Sequence, residues 1–195
     1  GFWWLTLGFL YLPLIVVMLF SFNASNSAAS FTGVSLRWYR RLLGNDAILS
    51  ALGNSLLLAV VSSLLALMIG TLIGYGMYRH RHRKLGWLIV LIYLPIVLPD
   101  IVFGISEMTF FVKINELTCL LSPGLATMTI AHVTFQVPFV ALIVYSRFVG
   151  LDPTLFEAAK DLYATPRQRV QFFMLPTLKP ALISGFLLSF TLSLD

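Results

Sequence analysis

Three carboxylates stand within or at the end of apolar stretches and are the first candidates for chemistry in this sequence. Asp100 follows Pro99, Glu107 comes seven residues later, and Asp195 ends the uncharged run 180–194. Seven residues are two helical turns, so Asp100 and Glu107 are predicted to share one helix face. Because ionisable groups inside a membrane usually face a cavity or a partner, the three acids could attract a passing cation, especially one with spaced amines. The alternative is that Asp100 caps a helix and that Glu107 lies near the outer membrane surface.

Membrane-spanning helices are the elements that must position these acids. The chain of 195 residues is 58% hydrophobic and 11% charged, whereas an average soluble protein is about 25% charged. A helix crosses a bilayer with about 20 apolar residues. The sequence therefore predicts an all-α, polytopic transmembrane helix bundle that forms a single domain over residues 1–195. Its five predicted spans are about 2–21, 52–78, 85–112, 124–146 and 180–195.

Two patterns inside the spans predict how the helices pack and bend. Gly70 and Gly74 are four residues apart, a spacing of small residues that lets two membrane helices approach closely. Pro95 and Pro99 are predicted to kink the third span, because proline removes a backbone donor.

Histidine and glutamine in the fourth span are a possible polar pair. His132 and Gln136 are four residues apart and are predicted to share a helix face. We expect them to form a hydrogen bond between helices rather than to bind a metal. No metal site and no cofactor are predicted.

Basic residues are distributed unevenly among the loops, and this predicts the orientation of the chain. Loops 79–84 and 147–179 hold nine of the thirteen Lys and Arg residues. The positive-inside rule places both loops, and with them the N-terminus, in the cytoplasm. Because the net charge of +5 is sorted by loop rather than gathered in one patch, no nucleic-acid partner is predicted. On the outer side, residues 36–43 are predicted to form an amphipathic helix with Trp38 and Tyr39 at the membrane interface. The alternative is that this helix docks an external partner.

The loop 147–180 is the longest predicted cytoplasmic segment and shows two helix starts. Asp152-Pro153 and Thr165-Pro166 each place an N-cap residue before a proline at the first helical position. Leu175-Pro176 is predicted to end the second helix. From composition alone, this segment is typical of an amphipathic loop that packs under the bundle.

A short motif in the 147–180 loop resembles the EAA loop of permeases from ABC importers. The matching residues are Glu157-Ala158-Ala159, Ala164-Thr165-Pro166 and Leu175-Pro176, while Tyr163 stands where the family has glycine and Phe173 where it has isoleucine. In that family the loop forms coupling helices that dock on the ATP-binding subunit. The resemblance implies that this surface is made by Glu157, Ala158, Ala159, Tyr163, Ala164, Leu175 and Pro176. A tyrosine at the glycine position is expected to be strained if its φ is positive.

The resemblance extends along almost the whole chain to the PotC-type permeases of spermidine/putrescine importers. Such a member would have the type I ABC importer (MetI-like) fold with six spans, so a C-terminal truncation is expected here. The resemblance implies a bacterial inner membrane, an ATP-binding subunit pair, a second homologous permease and a periplasmic polyamine-binding protein. The matching segments are 21–23, 37–39, 54–56, 99–102, 131–135, 145–147, 157–162 and 188–195.

The sequence therefore predicts a non-catalytic permease subunit of an ATP-driven polyamine importer. No G-x-x-x-x-G-K-[ST] pattern occurs, so ATP hydrolysis is expected in a separate subunit. One alternative is the same kind of importer with iron or a sugar as its substrate. Another is a carrier driven by protons or sodium, which would use the intramembrane acids as relays. A third is an assembly or scaffold fragment.

Overall fold

The computed structural model describes residues 2–26, 30–81, 86–152, 154, 161, 163 and 165–194. These residues are mostly helical, which confirms the all-α prediction, and their only β pairing is an isolated bridge between Asn23 and Val34. The described elements are α1 (Phe2–Phe20), α2 (Arg37–Leu43), α3 (Asp46–Arg79), α4 (Gly86–Val97), α5 (Asp100–Thr118), α6 (Leu125–Val149), α7 (Pro166–Gln168), a π-helical turn (Arg169–Met174) and α8 (Leu175–Leu194).

Four of the described helical segments are long and apolar enough to cross a membrane. They are α1, α3, α6 and the continuous helix from Pro166 to Leu194. A fifth span is present if α4 and α5 count as one.

The predicted third span, 85–112, differs most from expectation. It was predicted to be a single kinked helix, but α4 and α5 meet at 109°, which makes them a broken span or a re-entrant pair. The break falls at Leu98-Pro99, where proline offers no N–H and disfavours helical geometry in the residue before it. Pro95 stays inside α4 and is buried.

The chain forms two compact units, Gly1–Asn54 and Ser55–Asp195. In the first unit, α2 confirms the predicted short helix. The Trp38 Nε1–H donates to the Asn23 carbonyl at 2.9 Å, and the Tyr39 hydroxyl lies 2.9 Å from Ser21 Oγ. The polar tips of both predicted membrane anchors thus bond to residues of the same unit.

The core of the second unit forms where α6 packs against α3 and α8. Val140, Val144 and Phe148 of α6 are fully buried. A Cβ atom on Gly70 would lie 2.6 Å from Val140 Cβ, and one on Gly74 would lie 2.6 Å from the Ala141 carbonyl oxygen. The predicted close helix packing at Gly70 and Gly74 is confirmed, because no larger residue fits at either place.

The prediction that Leu175-Pro176 ends a helix is wrong. The helix continues from Pro166 through the π-helical turn into α8, and the Leu175 N–H bonds to the Val170 carbonyl, five residues back. A proline inside an ordinary α-helix clashes with the carbonyl four residues earlier. The wider turn immediately before Pro176 accommodates this residue, so the helix passes the proline without a stop.

Candidate functional site

Asp100 and Glu107 line the same groove, which we call the acidic groove. It has a volume of about 180 Å³ and lies between α5, α6 and α8. Asp100 is exposed and Glu107 is half-buried. The two-turn spacing thus brings both carboxylates to one concave surface, whose other main lining residues are Phe103, His132, Phe135 and Leu192.

Asp100 is the first residue of α5, which allows a test of the alternative that Asp100 caps a helix. The N-cap residue is Pro99, and no side chain caps this helix end. A carboxylate in the first turn is still favoured by the partial positive charge of the helix N-terminus. Asp100 therefore supports the helix electrostatically while it faces the acidic groove.

The acidic groove also has aromatic walls. The ring centroids of Phe103 and Phe135 lie 5.7 Å apart. An adjoining cavity of about 320 Å³ shares Glu107 and His132 and extends to the loop between α5 and α6. Carboxylates and aromatic faces both attract cations, so the surface suits an extended cation with apolar segments.

A hydrogen-bond network forms behind the acidic groove and joins three helices. His132 Nδ1 lies 2.8 Å from Ser193 Oγ, and Ser193 Oγ lies 3.2 Å from Ser62 Oγ. The Gln136 Nε2–H donates to Ser62 Oγ at 3.3 Å. The predicted interhelical hydrogen bonds of His132 and Gln136 are confirmed. Their partners Ser62 and Ser193 were not predicted, since the only signal of either residue was a small hydroxyl inside an apolar span.

The side chains around the acidic groove do not form a metal site. Among the residues that the structure describes, no three His, Cys, Asp or Glu side chains gather closely enough to hold a metal ion. The described groove therefore presents two separate carboxylates, Asp100 and Glu107.

The predicted ATPase-contact surface is described only in part. Glu157, Ala158, Ala159 and Ala164 lie outside the described residues, as does the predicted substrate-path residue Asp195. Leu175 and Pro176 are exposed in the first turn of α8.

Tyr163, at the glycine position of the motif, has a left-handed backbone. Its φ is +53°, and its side chain is 94% exposed. This conformation favours glycine, since a Cβ atom comes close to the following carbonyl oxygen. The backbone geometry expected for a glycine is thus present, although the residue is tyrosine.

Side chains on either side of Tyr163 accept hydrogen bonds from nearby backbone N–H groups, as helix caps do. Asp152 Oδ1 accepts a hydrogen bond from the Thr154 N–H at 2.9 Å, and this bond lowers the pKa of Asp152 below its usual value. Pro153 lies outside the described residues, and Thr165 starts α7 as predicted. The Gln168 N–H donates to Thr165 Oγ1 and the Thr165 N–H donates to Gln168 Oε1. The capping role of Gln168 was not predicted, although Thr-x-x-Gln is a capping-box signature.

A hydrogen bond joins the C-terminal end of the 147–180 loop to α6. The Arg147 Nε–H donates to the Thr177 carbonyl at 3.1 Å, which links the last turn of α6 to the first turns of α8. The continuous helix then runs from Pro166 to Leu194, where Leu192 lines the acidic groove. One helix therefore connects the loop to the groove.

Comparison with known proteins places this arrangement among transport proteins. The family model described as "Binding-protein-dependent transport system inner membrane component" matches residues 66–195. The spermidine/putrescine transport system permease protein PotC of Escherichia coli K12 is 36% identical over 195 residues, which cover 100% of this chain and 72% of that protein. The putrescine transport system permease protein PotI of the same organism is 40% identical over 189 residues, which cover 96% and 67%. PotC of Haemophilus influenzae is 35% identical over 195 residues, which cover 100% and 74%.

Proposed function

The chain belongs to the family of binding-protein-dependent transport system inner membrane components, and we propose that it is the permease subunit of an ATP-driven polyamine importer. Its similarity to PotC and PotI supports spermidine and putrescine as the substrate class. The observation that carries the proposal is that Asp100 and Glu107 line one groove.

The acidic groove has the chemistry that a polyamine requires. Such a substrate carries ammonium groups separated by methylene segments. Asp100 and Glu107 supply charge-assisted hydrogen bonds to two ammonium groups. Phe103 and Phe135 supply apolar surface for the methylenes and aromatic faces for the charge. Asp195 is proposed as a third acid on the path.

Coupling to ATP hydrolysis runs through the 147–180 loop. The proposed docking surface for the ATP-binding subunits is Glu157, Ala158, Ala159, Tyr163, Ala164, Leu175 and Pro176. The exposure of Tyr163 and the continuous helix from Pro166 to Leu194 support this role. Movement of the loop displaces that helix, and with it Leu192 and Ser193 beside the acidic groove.

The chain itself supplies no ATPase activity in this proposal. It lacks the Walker A pattern, and its role is that of one non-catalytic permease domain over residues 1–195. It acts with a pair of ATP-binding subunits, a second homologous permease and a periplasmic polyamine-binding protein.

The proposed orientation follows from charge. Nine of the thirteen Lys and Arg residues fall in loops 79–84 and 147–179, which are therefore assigned to the cytoplasm of a bacterial cell. The N-terminus lies on the same side.

Uptake of labelled spermidine and putrescine by the assembled transporter tests the substrate site. We expect Asp100→Asn and Glu107→Gln each to reduce uptake by about tenfold or more, because each removes a charge-assisted hydrogen bond. Glu116→Gln is the matched control, since Glu116 lies on α5 but pairs with Lys113 outside the groove. Normal uptake in both groove variants would reject the site, and transport of iron or a sugar in place of polyamines would reject the substrate class.

A second assay tests the coupling. Glu157→Lys should abolish ATP-dependent uptake while the protein still reaches the membrane, with Glu116→Lys as the control for a charge reversal elsewhere. Uptake that persists without any ATP-binding subunit and collapses with an ionophore would instead establish the ion-coupled carrier.

A further inference from the structure

A second cavity of the Ser55–Asp195 unit has no role in the function proposed above. It has a volume of about 520 Å³ and lies between the end of α3, α4 and the last turns of α6. Met77 at its side is buried, whereas Ile89 and Val149 are about half exposed. We call it the Arg81 groove, and its other main lining residues are Leu88, Tyr93, Leu142 and Tyr145.

Arg81 provides the charge at this groove. Its guanidinium lies over the Tyr78 ring, 4.7 Å from the ring centroid. The Tyr78 ring in turn stacks on the buried Phe148 ring, with 5.1 Å between centroids. Within the described ranges the one ion pair is Lys113–Glu116, so no described carboxylate neutralises Arg81. The positive charge is thus oriented by the core and available to an anion.

We propose that the Arg81 groove binds an anionic phospholipid. The phosphate pairs with Arg81, and an acyl chain lies along the apolar wall formed by Leu88 and Leu142. Basic pockets between membrane helices bind anionic headgroups in this way, and guanidinium matches phosphate geometry. Tyr93 and Tyr145 also line the groove, and tyrosines favour the headgroup level of a bilayer.

Charge and shape together favour a lipid over other occupants. The volume falls within the range of about 300–1,000 Å³ that is usual for small-molecule sites. A free phosphate would contact the Arg81 end alone and leave the apolar length unfilled. A zwitterionic lipid would bring its own cation close to Arg81, so an anionic headgroup is preferred.

Photoreactive lipids test the proposal on the transporter complex extracted in mild detergent. A phosphatidylglycerol with a photoreactive acyl chain is titrated, and the labelled peptides are mapped by mass spectrometry. We expect labelling in residues 86–97 and 142–149. Arg81→Gln should weaken this labelling by about tenfold, the effect of losing a hydrogen bond to a charged group. Arg79→Gln is the matched control, because it removes the same charge two residues away and Arg79 does not line the groove.

The outcomes separate the possible occupants, and the lipid comparison needs no variant. Stronger labelling by phosphatidylglycerol than by phosphatidylcholine, undiminished by excess inorganic phosphate, supports the proposal. Equal labelling by both lipids, or an equal effect of Arg81→Gln and Arg79→Gln, overturns it. Loss of labelling with inorganic phosphate would show a simple anion site. Cross-linking of Ile89→Cys to another polypeptide would show a protein interface and likewise overturn the proposal.

Discussion

His132 Nδ1 and Ser193 Oγ lie 2.8 Å apart, although the two residues are separated by 61 positions in the sequence. This contact joins α6 to the far end of α8, the helix that begins in the 147–180 loop. His132 also lines the acidic groove. A displacement of α8 would therefore act directly on a residue of the groove wall.

The Ser62 hydroxyl stabilises the helix bundle through its two partners on other helices, Ser193 and Gln136. Ser62→Ala should lower the free energy of unfolding by about 1 kcal/mol, the usual value of an interhelical hydrogen bond. Ser63→Ala is the control, since Ser63 is equally buried and its hydroxyl has no hydrogen-bond partner in the described part of the chain. Unfolding in mixed detergent micelles measures both. Equal losses in the two variants would contradict the network.

Gly70 is required because its helix touches α6. Gly70→Ala would place a Cβ atom 2.6 Å from Val140 Cβ, so we expect a loss of about 1–3 kcal/mol from overpacking. Gly76→Ala has open space around the new atom and should be neutral or slightly stabilising. Thermal unfolding in detergent compares the two, and an unchanged midpoint for Gly70→Ala would refute the close approach.

The left-handed backbone conformation of Tyr163 is strained, which lowers the free energy of unfolding. Tyr163→Gly should stabilise the protein by about 1 kcal/mol, because glycine adopts φ of +53° without strain. Tyr163→Ala keeps the Cβ atom and removes the exposed ring, so it should give no such gain. The free energies of unfolding of the two variants separate backbone strain from the loss of the ring. A gain in both variants would show that the ring, not the backbone, is responsible.

Asp152 should make a small pH-dependent contribution to stability. The hydrogen bond from Thr154 lowers its pKa, so the contribution is present above the unfolded-state pKa and is lost as pH falls through the folded-state pKa. The NMR titration of the Asp152 carboxyl should therefore have a midpoint below the usual pKa range of an aspartate. Thr154→Pro removes the N–H donor and should move the midpoint upward. A titration that does not respond to this change would contradict the capping role.

Several features could be read from local sequence because their cause is local. Long uncharged runs predicted the spans, since a bilayer excludes charge. Thr165-Pro166 predicted a helix start, because capping depends on neighbouring residues. The spacing of Gly70 and Gly74 predicted close packing but not the partner helix, α6, because the partner lies far along the chain.

Other features were misjudged where the effect of proline depends on its surroundings. Pro99 and Pro176 both follow a leucine, and both were predicted to perturb a helix. At Pro99 the chain turns through 109° between two helices. At Pro176 a π-helical turn precedes the proline and the helix continues. Which response occurs depends on the hydrogen-bond register of the preceding turn, which residue types alone do not specify.

By itself, the sequence determined that the chain is a helical membrane protein, where most of its helices run, and which acids stand within or beside apolar segments. Only the tertiary structure decided that Asp100 and Glu107 share their groove with His132, that Ser62 and Ser193 complete its hydrogen bonds, and that one continuous helix reaches it from the 147–180 loop. The physical reason is the distance along the chain over which each effect acts. Hydrophobic patterns and capping depend on residues that are neighbours in the sequence. A groove is formed by residues far apart in the sequence that come together when the helices pack.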